Sequence, residues 1–505
     1  MLITSSFDNF RKFLDNSDKF IRTLDSKAIT SPYIFQSIGN AVGSRNIDFA
    51  KRFNIFSDTA LSAKQFFPDI PAEQLQAVAE DMKLLITAVL LGHNGFIDTL
   101  SELIYDSFAG KDKLNEINKD VANKFKALDA AIKQYKYSSG GFVFLSHYSA
   151  DADIEQFYPF GKYFIDQTEK YIQMLPSVTE ITLDNFSGKK NIGGWLILLP
   201  LSPKMLLQNK KLREHHILQA TKLTEILGAS MMGLGGLLGS VTMGGKSITK
   251  NLNVNLTTGH AYTVANIVKM VDMVAEKLSL KYANTALAIV GACGSVGSCC
   301  SELFSTKGFK KIILIDTEAA VRSDLCQTLL AKMKYDKISC EIIIDSDISK
   351  INSADIVVVA TSMPVAIIDD ATVKKGCIVI DDSYPKNVSL QTVQKRKDII
   401  FLEGGATQLP LDVKIMSSQE IPNLEFAPSS RLFYNNQSYS CLSEIITLCL
   451  DGHNRHYGLG RASVELAKEM LVRPKKWYLK PALVECYGDD LTDSRLKDFK
   501  IHSER

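Results

Sequence analysis

The sequence lacks a charge excess of either sign. Its 58 Lys and Arg residues offset 56 Asp and Glu residues, and the formal net charge is +2. A chain so balanced has no electrostatic footprint for nucleic acid or an anionic membrane, and we expect neither partner. Cysteine is absent before residue 290; all nine cysteines follow it, without a paired C-x-x-C. This pattern argues against a disulfide scaffold and a zinc site, and is typical of reduced thiols in a cytoplasmic protein.

A secretory signal is also lacking, because Asp8 and Arg11 interrupt the N-terminus before any apolar core develops. One run, residues 226–245, is free of charge and long enough to span a bilayer. It contains seven glycines (228, 233, 235, 236, 239, 244 and 245), which weaken both helix propensity and hydrophobicity. We therefore expect this glycine-rich segment to be buried or to face an active site rather than to cross a membrane.

The first 138 residues predict an all-α extension. Apolar residues recur at helical spacing over 72–97 and 114–135. The stretch Tyr137-Ser138-Ser139-Gly140-Gly141 then has the composition of a linker. After it, apolar runs predict strands at 142–145, 181–183 and 195–199, followed by a helix over 204–227. Residues 139–262 are thus predicted to form an α+β substrate-binding domain.

The chain is organised around a glycine turn at residues 287–297, in which four apolar residues run into Gly291, Gly294 and Gly297. Such a turn, with a strand before it and a helix after it, is typical of dinucleotide binding. The first glycine permits a sharp turn, the second a close approach to pyrophosphate, and the third tight helix packing. Ser295 and Val296 open the helix, whose positive end attracts the anion.

Apolar runs continue at 312–315, 342–344, 356–360, 377–380 and 399–402, separated by helical or loop stretches. This alternation predicts an α/β fold, a Rossmann-type doubly wound parallel sheet over residues 263–410. The loops that follow two strands, at 361–364 and 381–387, are expected to face the cofactor or substrate. They contain two groups of candidate residues: Thr361, Ser362 and Met363 toward the cofactor, and Tyr384 and Lys386 toward the chemistry.

In the C-terminal segment, 411–505, an amphipathic helix is predicted from about 442 to 450. Ser440 has the character of an N-cap, which places Cys441 in the first helical turn. There the helix dipole favours a thiolate.

Motifs in order from Phe142 to about Pro481 resemble the cyanobacterial long-chain acyl-(acyl-carrier-protein) reductases, which form fatty aldehydes. They are Thr257-Thr258-Gly259, the glycine turn, Ser362-Met363-Pro364, Tyr384-Pro385-Lys386-Asn387, Gly404-Gly405, Cys441-Leu442-Ser443-Glu444, Gly452 and Gly460-Arg461. The first 138 residues have no counterpart in that family. The resemblance places the family's catalytic cysteine at Cys441.

The resemblance implies that Cys441 attacks an acyl thioester, donated by acyl-carrier protein or acyl-CoA, and that a nicotinamide cofactor reduces the acyl-enzyme to an aldehyde. Candidate donors to the developing oxyanion are the N–H groups at the start of the Cys441 helix, His260, Tyr384 and Lys386. Glu444, one turn after Cys441, is expected to cap the helix start. A homo-oligomer is possible.

The cofactor is the main departure from the family. The resemblance implies NADPH, with an Arg after the second strand of the dinucleotide-binding unit. In this sequence the second strand instead closes with Asp316-Thr317-Glu318. Asp316 follows Gly297 by 19 residues, where an acid binds the ribose 2′-hydroxyl and repels a 2′-phosphate. The cofactor is thus NADH or NADPH, with the residues favouring NADH.

Two alternatives to the reductase function stay open: a shikimate- or saccharopine-like dehydrogenase without covalent catalysis, and a non-catalytic nucleotide-binding scaffold.

Overall fold

In the computed structural model, the described residues are 141–154, 176–335, 340–417 and 436–504, without 152, 187, 189 and 227. The predicted N-terminal helical extension, 1–138, lies outside them. The strands are β1 (Phe142–His147), β2 (Ser177–Phe186), β3 (Lys190–Leu199), β4 (Met231–Leu234), β5 (Asn255–Thr257), β6 (Ala286–Val290), β7 (Lys311–Ile315), β8 (Glu341–Asp345), β9 (Ile356–Val359), β10 (Ile378–Asp381), β11 (Ile400–Glu403), β12 (Ala406–Gln408), β13 (Lys414–Ser417), β14 (Gln437–Tyr439) and β15 (Lys480–Pro481).

The helices of the same residues are α1 (Pro203–Gln208), α2 (Lys210–Ile226), α3 (Leu238–Val241), α4 (His260–Lys277), α5 (Ser295–Ser305), α6 (Glu318–Val321), α7 (Asp324–Tyr335), α8 (Leu390–Lys395), α9 (Ser440–Leu450), α10 (Val464–Met470) and α11 (Asp493–Glu504). Short 3₁₀ turns connect several of them. Among the described residues, no helix is both long and apolar enough to cross a bilayer.

The first sheet has six strands in the order β13-β2-β3-β1-β4-β5. Strands β3, β1, β4 and β5 run parallel, whereas β2 and β13 are antiparallel to their neighbours. The strand β13 comes from beyond residue 410, so the C-terminal part of the chain completes the sheet that the predicted substrate-binding region begins.

The second sheet has the order β11-β10-β9-β6-β7-β8 and is parallel throughout. All six strands match the apolar runs of the sequence, as expected for a buried parallel sheet, although the edge strand β8 is only half-buried. The prediction of a mixed α/β chain with a doubly wound parallel sheet is confirmed in this part of the chain. A small antiparallel sheet, β14-β12-β15, follows it.

Helix α4 joins the two large sheets. Near its start, Ala261, Tyr262 and Ala265 pack in the core of the first sheet. Further along, Val264, Ile267 and Val271 pack in the core of the second. Because both sheets pack on α4, the first turn of this helix is held between the carboxyl ends of the two sheets.

Three local expectations are corrected. The single helix predicted over 204–227 is broken at Asn209 into α1 and α2, and Asn209 Oδ1 accepts from the N–H of Leu212 in α2. The segment Leu256-Thr257-Thr258-Gly259-His260, whose composition predicts a loop, begins as strand β5 and ends in helix α4. The helix that carries Cys441 begins at Ser440, so Ser440 is not its N-cap; its hydroxyl donates to Gly405 O instead.

Candidate active site

A cleft of about 220 Å³ opens where the carboxyl ends of the two large sheets face each other. Its walls come from the loops that follow β4, β5, β6, β7, β9, β10 and β11, and from the first turns of α4, α5 and α9. The residues that line it are Leu234, Gly236, Leu237, Ser240, Thr258, His260, Thr263, Gly291, Gly294, Ser295, Val296, Asp316, Ala360, Thr361, Ser362, Asp382, Ser383, Tyr384, Lys386, Gly404, Gly405, Tyr439, Ser440 and Cys441. Three helix N-termini meet at one cleft, and such termini favour negative charge.

The glycine turn has the geometry that its spacing predicts. Gly291 has φ +82°, a conformation that glycine adopts readily, and a side chain there would overlap the carbonyl of Ala360. A side chain on Gly297 would overlap the carbonyl of Gly291, so the third glycine is needed for packing of α5 on the strand. Gly294 precedes the helix as its N-cap and lines the cleft.

Asp316 lies at the end of β7, against the glycine turn. Its Oδ2 accepts a hydrogen bond from Cys293 N at 2.8 Å, and its Oδ1 accepts from Thr317 N, also at 2.8 Å. The carboxylate is therefore held by backbone groups at the rim of the cleft. Arg322, six residues further along the chain, forms an ion pair with Glu318 on the surface.

The loops after β9 and β10 are tied to each other. Asn387 Nδ2 donates to Met363 O at 2.9 Å and to Val365 O at 3.2 Å, and Thr361 Oγ1 accepts from Met363 N at 2.9 Å. This arrangement presents Thr361 and Ser362 to the cleft, whereas Met363 does not line it.

Cys441 lies in the first turn of α9 and lines the cleft. Its Cβ packs against Gly259, the residue before α4; Gly259 has φ +74°, and a side chain there would overlap Cys441 Cβ. Burial raises the pKa of the Cys441 thiol to about 12, and the nearby carboxylate of Asp382 adds to the shift. Backbone N–H groups of Leu442 and Cys441 act in the opposite direction. The helix start thus favours the thiolate, in the direction that its position predicts, but burial has the larger effect on the pKa.

Glu444 caps a helix other than its own. Its Oε1 accepts from Gly259 N at 3.0 Å and from the hydroxyl of Thr257, and its Oε2 accepts from Tyr262 N at 2.6 Å. The side chain is fully buried, and burial raises its pKa to about 7 in spite of these hydrogen bonds. Glu444 therefore joins α9 to the start of α4 and sets the position of Cys441 relative to His260.

His260 is the first residue of α4. Its Nδ1 lies 3.1 Å from Ser295 Oγ, and its other nitrogen lies above Gly239, where a Cβ would be 2.7 Å from Nε2. Burial, together with the charge of Arg461, lowers the pKa of His260 to about 4. The imidazole is therefore neutral near pH 7, and can donate a hydrogen bond through only one nitrogen.

Lys386 is held in a buried polar cluster. Its Nζ donates to Asp381 O at 2.9 Å and lies 3.3 Å from Glu403 Oε1, which also accepts from Tyr439 OH at 2.6 Å. Burial by itself lowers the pKa of Lys386, but Glu403, Tyr439 and Asp381 reverse the effect, and the pKa is raised overall. Lys386 therefore supplies a fixed positive charge rather than a proton.

Tyr384, in the same loop as Lys386, contacts the first sheet. Its hydroxyl is 3.4 Å from the carbonyl of His147, and its ring packs edge-on against the His147 ring with centroids 5.2 Å apart. Burial raises the pKa of Tyr384 well above its ordinary value. Tyr384 therefore stays protonated and able to donate.

Residues 457–462, here called the strap, cross the back of the cleft. Thr258 Oγ1 donates to Gly458 O at 2.8 Å, and Gly460 N donates to Gly244 O at 2.8 Å. Arg461 then donates to the carbonyls of Cys293 and Gly294 at 2.7 and 2.8 Å. The strap thus holds β5, the glycine-rich segment and the glycine turn together.

The cleft unites nearly all the residues singled out in the sequence. Cys441, His260, Tyr384, Lys386, Gly291, Gly294, Ser295, Val296, Asp316, Thr361 and Ser362 line it, whereas Gly297 and Met363 do not. Part of the glycine-rich segment (Leu234, Gly236, Leu237 and Ser240) lines it too, and forms β4 and α3. Sequence reasoning did not select Asp382, although the second of two acids after a buried strand is a recognisable signal.

A glycine turn on a helix N-terminus, an acid at the end of the next strand and a cleft at the strand ends are features of a pyridine-nucleotide oxidoreductase. The residues present fit NADH or NADPH. The turn and α5 would hold the pyrophosphate, and Asp316 would bind the ribose.

No family model matches the chain. The chain is 26% identical over 302 residues to the long-chain acyl-[acyl-carrier-protein] reductase of Synechococcus elongatus, covering 58% of this chain and 82% of the relative. It is 24% identical over 234 residues to the aminotransferase PigE of a Serratia species, covering 46% of this chain but 26% of that much longer protein. These values indicate distant kinship with the reductase.

Among solved structures, the L-tryptophan dehydrogenase of Nostoc punctiforme matches at a TM-score of 0.31 and 10% identity, covering 67% of this chain and 80% of the other. The shikimate 5-dehydrogenase of Listeria monocytogenes matches at a TM-score of 0.26 and 10% identity, covering 52% and 86%. At such scores these likenesses carry no argument about the chemistry.

Proposed function

We propose that the protein reduces a fatty acyl thioester, presented by acyl-carrier protein or coenzyme A, to a fatty aldehyde through an acyl-Cys441 intermediate. The observation that carries this proposal is that Cys441 and the glycine turn open into one cleft. A nucleophile and a dinucleotide site so placed suit acyl transfer followed by hydride transfer. The distant kinship with the reductase of Synechococcus elongatus supports the choice of substrate class.

In the first half-reaction, the Cys441 sulfur bonds to the thioester carbonyl carbon and the carrier thiol leaves. The N–H groups of Cys441 and Leu442 lie close enough to act on the sulfur, and the same helix start can stabilise the oxyanion. Neutral His260 and protonated Tyr384 are the further donors on the cleft wall. Lys386 adds positive charge without giving up its proton.

In the second half-reaction, the acyl carbon accepts a hydride, which NADH or NADPH would supply when held by the glycine turn. The resulting oxyanion on the Cys441 thiohemiacetal collapses, releases the aldehyde and returns the sulfur to the enzyme. Between the two half-reactions, a wall of the cleft has to keep water away from the acyl group on Cys441. The loops after β9 and β10, tied together by Asn387, form that wall.

The test is to incubate the protein with a long-chain acyl-CoA or acyl-carrier protein, without reduced cofactor, and measure its intact mass. We expect one acyl adduct, which is absent in Cys441→Ser. Aldehyde formation, assayed separately with NADH or NADPH, should be lost in the same variant. Cys449→Ser is the matched control, because Cys449 lies buried in the same helix and does not line the cleft. Full aldehyde formation by Cys441→Ser would contradict the covalent mechanism. Clear NADH binding with no adduct and no turnover would favour a non-catalytic scaffold.

A further inference from the structure

The cleft holds a nucleophile that burial keeps protonated. Because the pKa of Cys441 is raised to about 12, its sulfur carries a proton throughout the physiological range. Thiolate is the reactive form, so acyl transfer needs a group that removes this proton. The structure offers few groups for that role.

Most ionisable groups around the cleft are committed to other partners. Glu444 accepts hydrogen bonds from Gly259 and Tyr262. The Asp381 carboxylate accepts from the N–H groups of Ser383, Asn387 and Val388. Lys386 is paired with Glu403. These groups already hold hydrogen bonds or an ion pair. His260 lines the cleft, but its Nδ1 lies 3.1 Å from Ser295 Oγ, and burial lowers its pKa to about 4, which makes it a weak base.

Asp382 differs from them. It lines the cleft after β10, its N–H donates to Val359 O at 2.8 Å, and among the described residues its carboxylate makes no hydrogen bond. This backbone hydrogen bond to β9 fixes the main chain of Asp382, while the carboxylate oxygens remain available to a group in the cleft.

Two glycines bring Asp382 next to the start of α9. A Cβ on Gly404 would be 2.6 Å from Asp382 N, and one on Gly405 would be 2.7 Å from Asp382 Oδ1 and 3.8 Å from Ser440 Oγ. The carbonyl of Gly405 accepts from both the N–H and the hydroxyl of Ser440, at 2.7 Å each. Only Gly405 therefore lies between the Asp382 carboxylate and Ser440, the residue before Cys441.

The protonation of Asp382 responds to several neighbours. Burial raises its pKa to about 7; Lys386 lowers it, and Asp381 and Glu403 raise it. In turn, the charge of the Asp382 carboxylate raises the pKa of the Cys441 and Cys300 thiols. A base with a pKa near the working pH suits proton transfer, because it is ionised yet still able to hold a proton.

We propose that Asp382 accepts the proton of the Cys441 thiol, directly or through one water, as the acyl group is transferred. This role rests on the proposed function. The S–H bond breaks as the bond between sulfur and the acyl carbon forms, and Asp382 becomes a carboxylic acid. It then gives the proton to the departing carrier thiolate. After the aldehyde leaves, the Cys441 sulfur takes a proton from solvent, so that each turnover consumes one proton with the hydride.

The first test is the rate of acylation against pH, followed without reduced cofactor by release of free coenzyme A from an acyl-CoA. In the wild type, the rate should rise through pH 7 and then level. In Asp382→Asn it should fall by about 100-fold or more, as for loss of a general base, and lose the rise near pH 7. If the carboxylate acted only through its negative charge, it would raise the pKa of the thiol and slow acylation. Faster acylation by Asp382→Asn would therefore overturn the proposal.

The second test does not depend on the acyl substrate. Alkylation of Cys441 by iodoacetamide is measured against pH by peptide mass spectrometry. A step near pH 7 in the wild type that is lost in Asp382→Asn supports proton transfer to Asp382, even if no acyl-CoA reacts. Profiles without a step in either protein overturn it. Asp345→Asn, the same charge change at the end of β8 outside the cleft, is the control, and Asp382→Ser replaces Asp382→Asn if the latter does not fold.

Discussion

Asp316 should determine the choice between NADH and NADPH. Its carboxylate is held by Cys293 N and Thr317 N at the rim of the cleft, where the adenosine ribose would lie. NADPH would bring a phosphate of charge between about −1.5 and −2 toward it. Two unit charges about 5 Å apart repel by about 1 to 3 kcal/mol between the dielectric of water and that of a protein surface. Replacing Asp316 by Asn removes this repulsion.

The same change weakens NADH, because an ionised acceptor for the ribose hydroxyls contributes about 1.5 to 3 kcal/mol and a neutral one less. The two effects add in the ratio of affinities. We therefore expect Asp316→Asn to shift the ratio of the dissociation constants for NADH and NADPH toward NADPH by at least about tenfold, since 1.4 kcal/mol corresponds to a factor of ten. Titration calorimetry measures both constants without requiring catalysis.

Two variants make the result specific to this carboxylate. Asp345→Asn removes the same charge at the end of the neighbouring strand and should leave the ratio unchanged. Ser in place of Asp316 makes room for a phosphate as well as removing charge, and should shift the ratio at least as far as Asn. An unchanged ratio in both Asp316 variants would refute the assignment of the ribose site, and with it the preference for NADH.

Two more predictions concern the junction of α4 and α9. Gly259→Ala should abolish acylation of Cys441, because the new methyl group overlaps its Cβ; Gly228→Ala, at φ +68° with open space, is the control for the backbone cost of about 1 kcal/mol, and equal activity of the two variants would contradict the explanation. For Glu444, the folded pKa of about 7 exceeds the ordinary 4.5, so its contribution to stability is full below pH 4.5 and declines as pH rises through 7, by about 3 kcal/mol. Glu444→Gln should remove that decline in urea unfolding measured from pH 4.5 to 7.5; a wild-type-to-variant difference that is constant with pH would count against it.

Sequence reasoning succeeded where a pattern is local. The six strands of the parallel sheet each contain an apolar run, because most of the sheet is buried, and the glycine turn carries its own spacing. The position of Cys441 also follows from local signals, namely a polar stretch before an amphipathic helix. Together with the family resemblance, which implied the role of Cys441 and of the candidate donors, these signals selected most of the residues that line the cleft.

What the sequence did not indicate depends on contacts between distant residues. No local pattern shows that β13 returns to the first sheet beside β2, or that Glu444 caps α4 rather than α9. The effect of burial on the pKa of Cys441 was not indicated for the same reason, because burial depends on the whole fold rather than on the residue's own helix. Asp382 was passed over because its closeness to Ser440 depends on Gly405, which becomes apparent only in three dimensions.

The strap has a consequence for how the protein is made. Arg461 contacts a turn that precedes it by 167 or 168 residues, and Gly458 contacts Thr258 across 200 residues. During synthesis, the glycine turn leaves the ribosome long before the strap that braces it. The six strands of the parallel sheet are complete by Glu403, whereas the cleft lacks its brace until the strap has been synthesised. We therefore expect tight nucleotide binding to appear late, after the strap has reached the glycine turn.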